Sequence, residues 1–255
     1  MGRVYKAYDR QLRRHVAIKR MHTRHGLSGD QEGLVRARFQ GEALLPAQIA
    51  DDNIIEVYEL RHIDDELFIV FQLIPGSQTL LERMRQLERA GGQLPIDEAT
   101  AYLRQALQGL CALHAHQEGL FHRDVKPDNL LIYESAVGEP RLKLIDFGVA
   151  HIPDAGLTAA GDSVGTPTYF PPELFPTKRG ERVELDHRMD LFALGMTFYY
   201  ALSLKRPYPS ARDLQSTAEA YTTTTPVSLR SHRSDIAAGL EAVVHRLMEK
   251  DREAR

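Results

Sequence analysis

Alternating apolar and polar positions dominate the first 74 residues, and helical spacing dominates the rest. Residues 4–7 and 15–21 read as two strands joined by a turn around Asp9-Arg10. Residues 31–49 read as a charged amphipathic helix, with Pro46 as a breaker near its end. Residues 54–62 and 67–73 are β-rich and flank the turn pair Asp64-Asp65, after which Pro75-Gly76 punctuates the chain. The pattern predicts a strand-rich lobe over 1–74 and a helix-rich lobe over 75–255. In the second, 80–89 forms a short helix. Residues 97–116 place Ala99, Tyr102, Leu103, Ala106, Leu110 and Leu113 on one helical face, with Asp97 as its cap. Residues 130–133 and 142–145 read as short strands of a hairpin. Residues 149–172 are rich in Gly, Thr, Ser and Pro without a period, a loop whose length points to function. Residues 189–204 are apolar almost all round and predict a buried helix, and 236–249 a further amphipathic one.

Composition narrows the class. The 255 residues are 43% hydrophobic, enough to pack one large domain or two lobes. No stretch of about 18 apolar residues predicts a membrane segment, and the residues from Met1 to Lys6 lack the apolar core of a signal peptide. The single cysteine, Cys111, excludes an internal disulfide framework and a cysteine-ligated zinc site. It falls within an apolar helical pattern and is expected to be buried. A reducing cytoplasm fits this usage. The formal net charge of −3 weighs against nucleic acid as the main partner.

Two strings carry the chemistry. Phe121-His122-Arg123-Asp124-Val125-Lys126-Pro127-Asp128-Asn129 is followed downstream by Ile145-Asp146-Phe147-Gly148. They put Asp124, Asn129 and Asp146 on two short turns. Phosphoryl transfer needs such a set: a carboxylate to orient an attacking hydroxyl and take its proton, and oxygen ligands for magnesium.

The strings resemble the catalytic loop and magnesium loop of the eukaryotic-type (Hanks-type) Ser/Thr protein kinases, in particular the bacterial ones, and further motifs follow in that family's order from Gly2 to Arg255. The resemblance implies an α+β fold of two lobes, a small antiparallel sheet before a helical lobe, together one protein kinase domain. It implies ATP and Mg2+ as cofactors and Ser or Thr hydroxyls of proteins as acceptors. Val16-Ala17-Ile18-Lys19 resembles the strand whose lysine grips the α- and β-phosphates, with Glu42 as that lysine's partner. Asp124 resembles the catalytic base and Lys126 the γ-phosphate contact. Asn129 and Asp146 resemble the metal ligands. Ala17 and Leu131 are expected to sandwich adenine, and the backbones of Gln72 and Ile74 to meet its edge. Phe71 is expected to close the pocket behind it.

Gly165-Thr166-Pro167-Thr168-Tyr169-Phe170-Pro171-Pro172-Glu173 resembles the end of the family's activation segment, with Pro171 where Ala is usual. Thr166 is expected to bond Asp124 and Lys126, Glu173 to pair with Arg255, and Asp190 to tether the catalytic loop. Thr158 or Ser163 is the expected autophosphorylation site, facing Arg123, with Asp162 supplying charge without modification. Of the glycine-rich phosphate loop only Gly2 and Val4 match, so the expectation is a lobe lacking its first strand and most of that loop, from a start placed downstream or a fragment. Pro46, one turn after Glu42, is expected to loosen its helix. Two rival readings stand beside the kinase: a pseudokinase scaffold that binds nucleotide or partners without turnover, and a small-molecule kinase of the aminoglycoside type.

Overall fold

The computed structural model describes residues 3–21, 29–64, 66–116, 120–147, 167–175, 186–209 and 214–255. The first lobe is one antiparallel sheet with a helix on it. Its strands are β1 (Arg3–Asp9), β2 (Arg14–Arg20), β3 (Val57–Ile63) and β4 (Glu66–Gln72), in the order β1-β2-β4-β3, and its helix is α1 (Gly29–Ala47). The register sets Val4 and Ile69 opposite Lys19, and Phe71 opposite Ala17. Paired residues share a face, so Val4, Ala17, Lys19 and Phe71 lie on one side of the sheet. Phe39 and Ala43 of α1 pack there with Met21, Leu67 and Ile69. Pro46 lies inside the last turn of α1, where it cannot donate to the carbonyl four residues back, and the helix ends one residue later.

The second lobe is mainly helical. A two-residue strand, β5 (Gln78–Thr79), leads into α2 (Leu80–Arg89), then α3 (Ile96–His114), the hairpin β6 (Leu130–Glu134) and β7 (Pro140–Leu144), α4 (Arg188–Ser203), α5 (Leu214–Thr223), α6 (Leu229–His232) and α7 (Ala238–Leu247). Sheet β5-β6-β7 is antiparallel and packs against α3. The apolar run of α4 is buried on every side, as its composition predicts. Among the described residues no helix is long and apolar enough to cross a membrane.

Gly195 is where α4 meets the end of α7. A Cβ there would come within 2.7 Å of Met248 Cγ and 2.9 Å of Leu247 Cβ. Overpacking costs about 1–3 kcal/mol, offset by about 1 kcal/mol of helical preference for alanine, so Gly195→Ala is expected to lose roughly 1–2 kcal/mol. Urea denaturation checks this, and a variant as stable as the parent refutes the close approach.

Several local expectations are corrected. Asp97 is not the cap of α3: Pro95 holds that position, and Asp97 sits with Glu98 in the first turn, where carboxylates favour the helix N-terminus. Cys111 is exposed, not buried. One step past the buried Leu110 turns a helix by about 100°, off the apolar stripe. Ile54 does not open a strand; it makes a lone parallel bridge to Leu144, and β3 begins at Val57. Helices α5 and α6 were not anticipated.

The segment from Asp51 to Ile55, between α1 and β3, is stitched to the second lobe. Leu144 N–H donates to Asn53 O at 2.7 Å, and Ile55 N–H donates to Leu144 O at 3.0 Å. Asn53 Nδ2 donates to Gln105 Oε1 and Leu142 O, while Gln105 Oε1 also accepts from Leu142 N–H. Lys143, its pKa lowered by burial, donates from Nζ to Asp52 O at 2.8 Å and Ile54 O at 3.0 Å. This polar hub holds β7, and so the turn that begins at Ile145, against the end of the first lobe.

Candidate active site

The sequence 121–129 folds as an extended segment ending in a 3-10 turn, Pro127–Asn129. Three of its residues, Asp124, Lys126 and Asn129, and Asp146 on the next turn define the site. Lys126 Nζ donates to Asp124 Oδ2 at 2.6 Å. Asn129 Nδ2 donates to the same Oδ2 at 2.8 Å, to Asp124 O at 2.8 Å and to Asp146 O at 3.4 Å. Ile145 N–H donates to Asn129 O at 3.0 Å, which ties the two turns together. From the first lobe, Lys19 Nζ reaches Asp146 Oδ1 at 2.9 Å. Lys19, Lys126 and Asn129 are buried, and the Asp146 carboxylate is 42% exposed, open to a ligand. Arg123 and Asp146 both take left-handed backbone, with φ of +66° and +55°. Conformations of this kind cost non-glycine residues about 1–3 kcal/mol and persist only where surrounding contacts hold them.

Around Arg123 those contacts come from α4. Asp190, 1% exposed, accepts Arg123 N–H on Oδ1 at 2.7 Å and His122 N–H on Oδ2 at 2.8 Å. Its Oδ2 also meets His114 Nε2 of α3 at 2.8 Å. His122 is fully buried and stacks on Phe147 with ring centroids 4.6 Å apart. Its Nδ1 accepts Asp124 N–H, so Nε2 carries the proton and donates it to Ile145 O at 3.1 Å. Burial lowers the His122 pKa, only partly countered by Asp190 and Asp124. The ring is therefore expected to stay neutral as pH falls through 6.5, its ordinary value. The sign follows: a depressed native pKa contributes stability that is full above the unfolded value and is lost as pH falls below it. NMR of the imidazole resonances checks this, and titration of His122 at the ordinary value refutes it.

The remaining predicted residues sort as follows. Ala17 is buried on β2 and Leu131 half-buried on β6. Val4 is 57% exposed beside Lys19. Gln72 ends β4, its N–H donating to Glu56 O. The Ile74 carbonyl accepts Ser77 N–H at 3.3 Å and Ser77 Oγ at 2.7 Å. Gly2, Thr166, Thr158, Asp162, Ser163 and the Glu42 side chain lie outside the described residues. The ion pair expected at the other end of the activation segment is present. Arg255, its side chain fully buried, grips Glu173 with both terminal nitrogens at 2.6 and 2.7 Å. Sequence reasoning passed over His114, Asn53, Gln105 and Lys143, whose single polar side chains in apolar helical or strand patterns were the available signal.

The donor set suits a nucleotide with a divalent cation. Asn129 Nδ2 is spent on the protein, so Oδ1 is the atom Asn129 offers a cation, beside the exposed Asp146 carboxylate. Among the described residues no group of three or more His, Cys, Asp or Glu could hold a metal. A cation here would rest on Asp146, Asn129 and oxygens brought by the ligand, as magnesium does with phosphates.

Comparison with known proteins identifies the family and the fold. The model of the protein kinase domain matches residues 1–255. A Myxococcus xanthus serine/threonine-protein kinase, pkn2, is 32% identical over all of the chain, which spans 29% of that relative. Another from the same organism, pkn3, is 33% identical over 98% of the chain and 44% of its own length. Mycobacterium tuberculosis PknD is 33% identical over 82% of the chain and 28% of its own length. The chain thus spans less than half of these relatives. The crystal structure of the Mycobacterium tuberculosis PknI kinase domain superposes with a TM-score of 0.69 at 25% identity, covering 100% of this chain and 85% of that one.

Proposed function

This chain belongs to the protein kinase domain family, and from that premise we propose that it transfers the γ-phosphoryl group of ATP, with Mg2+, to Ser or Thr hydroxyls of proteins. The observation that carries the reading is the convergence of Lys19, Asp124, Lys126, Asn129 and Asp146 within hydrogen-bond reach of one another. ATP supplies the phosphoryl group, and magnesium would neutralise charge on its phosphates. Asp146 and Asn129 would hold the cation, and Lys19 steadies Asp146 and takes the α- and β-phosphates. Ala17 and Leu131 close on adenine from the two lobes, whose division we place between Ile74 and Pro75. The Ile74 N–H and the Gln72 backbone meet its edge, with Gly2 and Val4 at the phosphate end. Asp124 has one oxygen, Oδ2, occupied by Lys126 and Asn129, so Oδ1 is the acceptor for the hydroxyl of the substrate. It orients that hydroxyl and takes its proton. Lys126 turns to the γ-phosphate, and catalysis is mostly positioning and charge neutralisation.

In this reading Glu42 holds Lys19 in place, Thr166 ties the acceptor segment to Asp124 and Lys126, and Thr158 or Ser163 takes a phosphate that Arg123 receives. The cytoplasm is the compartment, from the single unpaired cysteine and the ATP requirement. The test is transfer of labelled phosphate from ATP to a generic protein acceptor such as casein, with and without magnesium, followed by phosphoamino-acid analysis. Magnesium-dependent label on Ser or Thr supports the reading. Nucleotide binding without transfer overturns it in favour of a scaffold.

A further inference from the structure

We infer that Arg206, on the turn after α4, binds an acidic side chain of the acceptor segment close to the hydroxyl that is phosphorylated, and so selects acceptors that carry a carboxylate there. The inference rests on the protein-acceptor reading above and names the chemistry of the segment that reading requires.

The turn is fixed at both ends. Helix α4 stops at Ser203, and Leu204 takes left-handed backbone with a φ of +54°. The buried Ser203 accepts Lys205 N–H on its Oγ at 3.1 Å. Pro207 and Tyr208 are buried just beyond, and Tyr208 packs edge-on against Tyr221 of α5 with ring centroids 4.6 Å apart. Between these anchors Lys205 and Arg206 are exposed.

Arg206 points to the acceptor side of the phosphotransfer site. Its Nη1 donates to Thr168 Oγ1 at 3.1 Å, and the Tyr221 hydroxyl donates to Thr168 O at 3.1 Å. Both the side chain and the carbonyl of Thr168 are thus held from the segment that follows α4. The next residue, Tyr169, lines the same small cleft as Asp124, the proposed base. Burial pushes the Tyr169 phenol up to about 12; Arg206 is the largest charge acting on it and pulls the other way, while Asp128 and Asp124 add to the rise. The guanidinium, Tyr169 and the base are neighbours.

The unused edge of the guanidinium selects the ligand. Its bond to a neutral hydroxyl leaves the charge uncompensated, and among the described residues no carboxylate pairs with Arg206. Nε and Nη2 remain, two parallel donors whose spacing matches the two oxygens of a carboxylate. The bond to Thr168 already orders the side chain, so a further contact costs little entropy. Asp128 is exposed and repels a carboxylate. The preference is therefore for an acid at positions that face Arg206, not for acidic segments in general. The path from Arg206 through Thr168 and Tyr169 to Asp124 is one that about three extended residues can span.

The test uses the purified chain and short peptides with one central Ser in an Ala-Gly background. Glu, Gln or phosphoserine is placed in turn at each of the three positions on either side of that Ser. Two readouts are taken: kcat/KM with ATP and magnesium, and, without nucleotide, amide and arginine Nε–H shifts in NMR. At one position or two neighbouring ones, Glu should raise kcat/KM and affinity about threefold to fivefold over Gln, the size of an exposed ion pair. The shifts should centre on Arg206, Thr168 and Tyr169. Arg206→Gln keeps an N–H donor for Thr168 and should erase the difference while leaving turnover of the Gln peptide unchanged. Arg206→Glu should make Lys better than Gln at the same position. No position that favours Glu, a preference that survives in Arg206→Gln, or shifts centred elsewhere overturns the proposal. Phosphoserine outperforming Glu more than tenfold also overturns it, in favour of an acceptor phosphorylated beforehand. The NMR readout needs no ATP. A chain that binds the Glu peptide through Arg206 but transfers nothing refutes the phosphotransfer reading alone, and one that transfers without the preference refutes only this inference.

Discussion

Asp124→Asn is expected to lower phosphotransfer by about a thousandfold, within the range for loss of a positioned general base, while leaving nucleotide affinity nearly unchanged. The geometry gives the reason. Lys126 Nζ and Asn129 Nδ2 both donate to Oδ2. In the variant those two donors claim the single oxygen of the replacement amide. Its NH2 group then faces the incoming hydroxyl, where it can neither accept a proton nor orient the oxygen lone pair for attack. The groups assigned to the nucleotide, Lys19 with Asp146 and the Ile74 N–H, are untouched. Initial rates of phosphate transfer and titration with a fluorescent ATP analogue, run on the same preparation, separate the two effects. Turnover near the parent's would remove Asp124 from its role. Equal loss of binding and turnover would mean that the substitution disturbed the loop as a whole.

The parts of this molecule that could be read in its sequence are those where chemistry and periodicity coincide. The runs 121–131 and 144–148 fix residue type and order at once, and the structure brings Asp124, Asn129 and Asp146 together. The buried helix α4 was legible because no polar face interrupts it. Element ends were not, because caps and tertiary pairing decide them. The capping box at the start of α2, with Thr79 accepting Glu82 N–H and Glu82 accepting Thr79 N–H, is a local signal that was there to use. Pro95 ahead of α3 competed with Asp97 for the cap, and a rigid extended residue won the position. Ile54 carried a strand-like side chain but went to a bridge with Leu144, a choice made 90 residues downstream. The same holds for Asn53, Gln105 and Lys143: a lone polar side chain is their one local mark, and their partners appear only when the hairpin closes on α3. Helix α5 is short and weakly patterned, so packing against the second lobe, through Ala220 and Tyr221, sets it.

Asp190→Ala is expected to cost about 3–5 kcal/mol of folding stability, the range for removing one side of a buried charged contact, and to reduce turnover as well. Asp190 is 1% exposed and accepts the N–H groups of His122 and Arg123. Truncation leaves two buried donors without an acceptor, each costing about 1–3 kcal/mol. It also strands His114 Nε2, which meets the same carboxylate. Arg123 sits at a φ of +66°, which an arginine adopts only under restraint. With the restraint gone, the backbone can relax toward ordinary values and swing Asp124, the next residue, away from Asn129 and Lys126. Against a total stability of about 5–15 kcal/mol, the loss is large enough that Asp190→Ala could fail to fold, so Asp190→Asn is measured beside it. The amide keeps the volume and one acceptor oxygen, and should retain more than half of the stability difference while still losing the second backbone bond. Urea midpoints and phosphotransfer rates of the two variants form the test. A truncation that moves stability by less than about 1 kcal/mol, the ordinary effect of a substitution, would show that the loop holds its own shape and that Asp190 does not position the site.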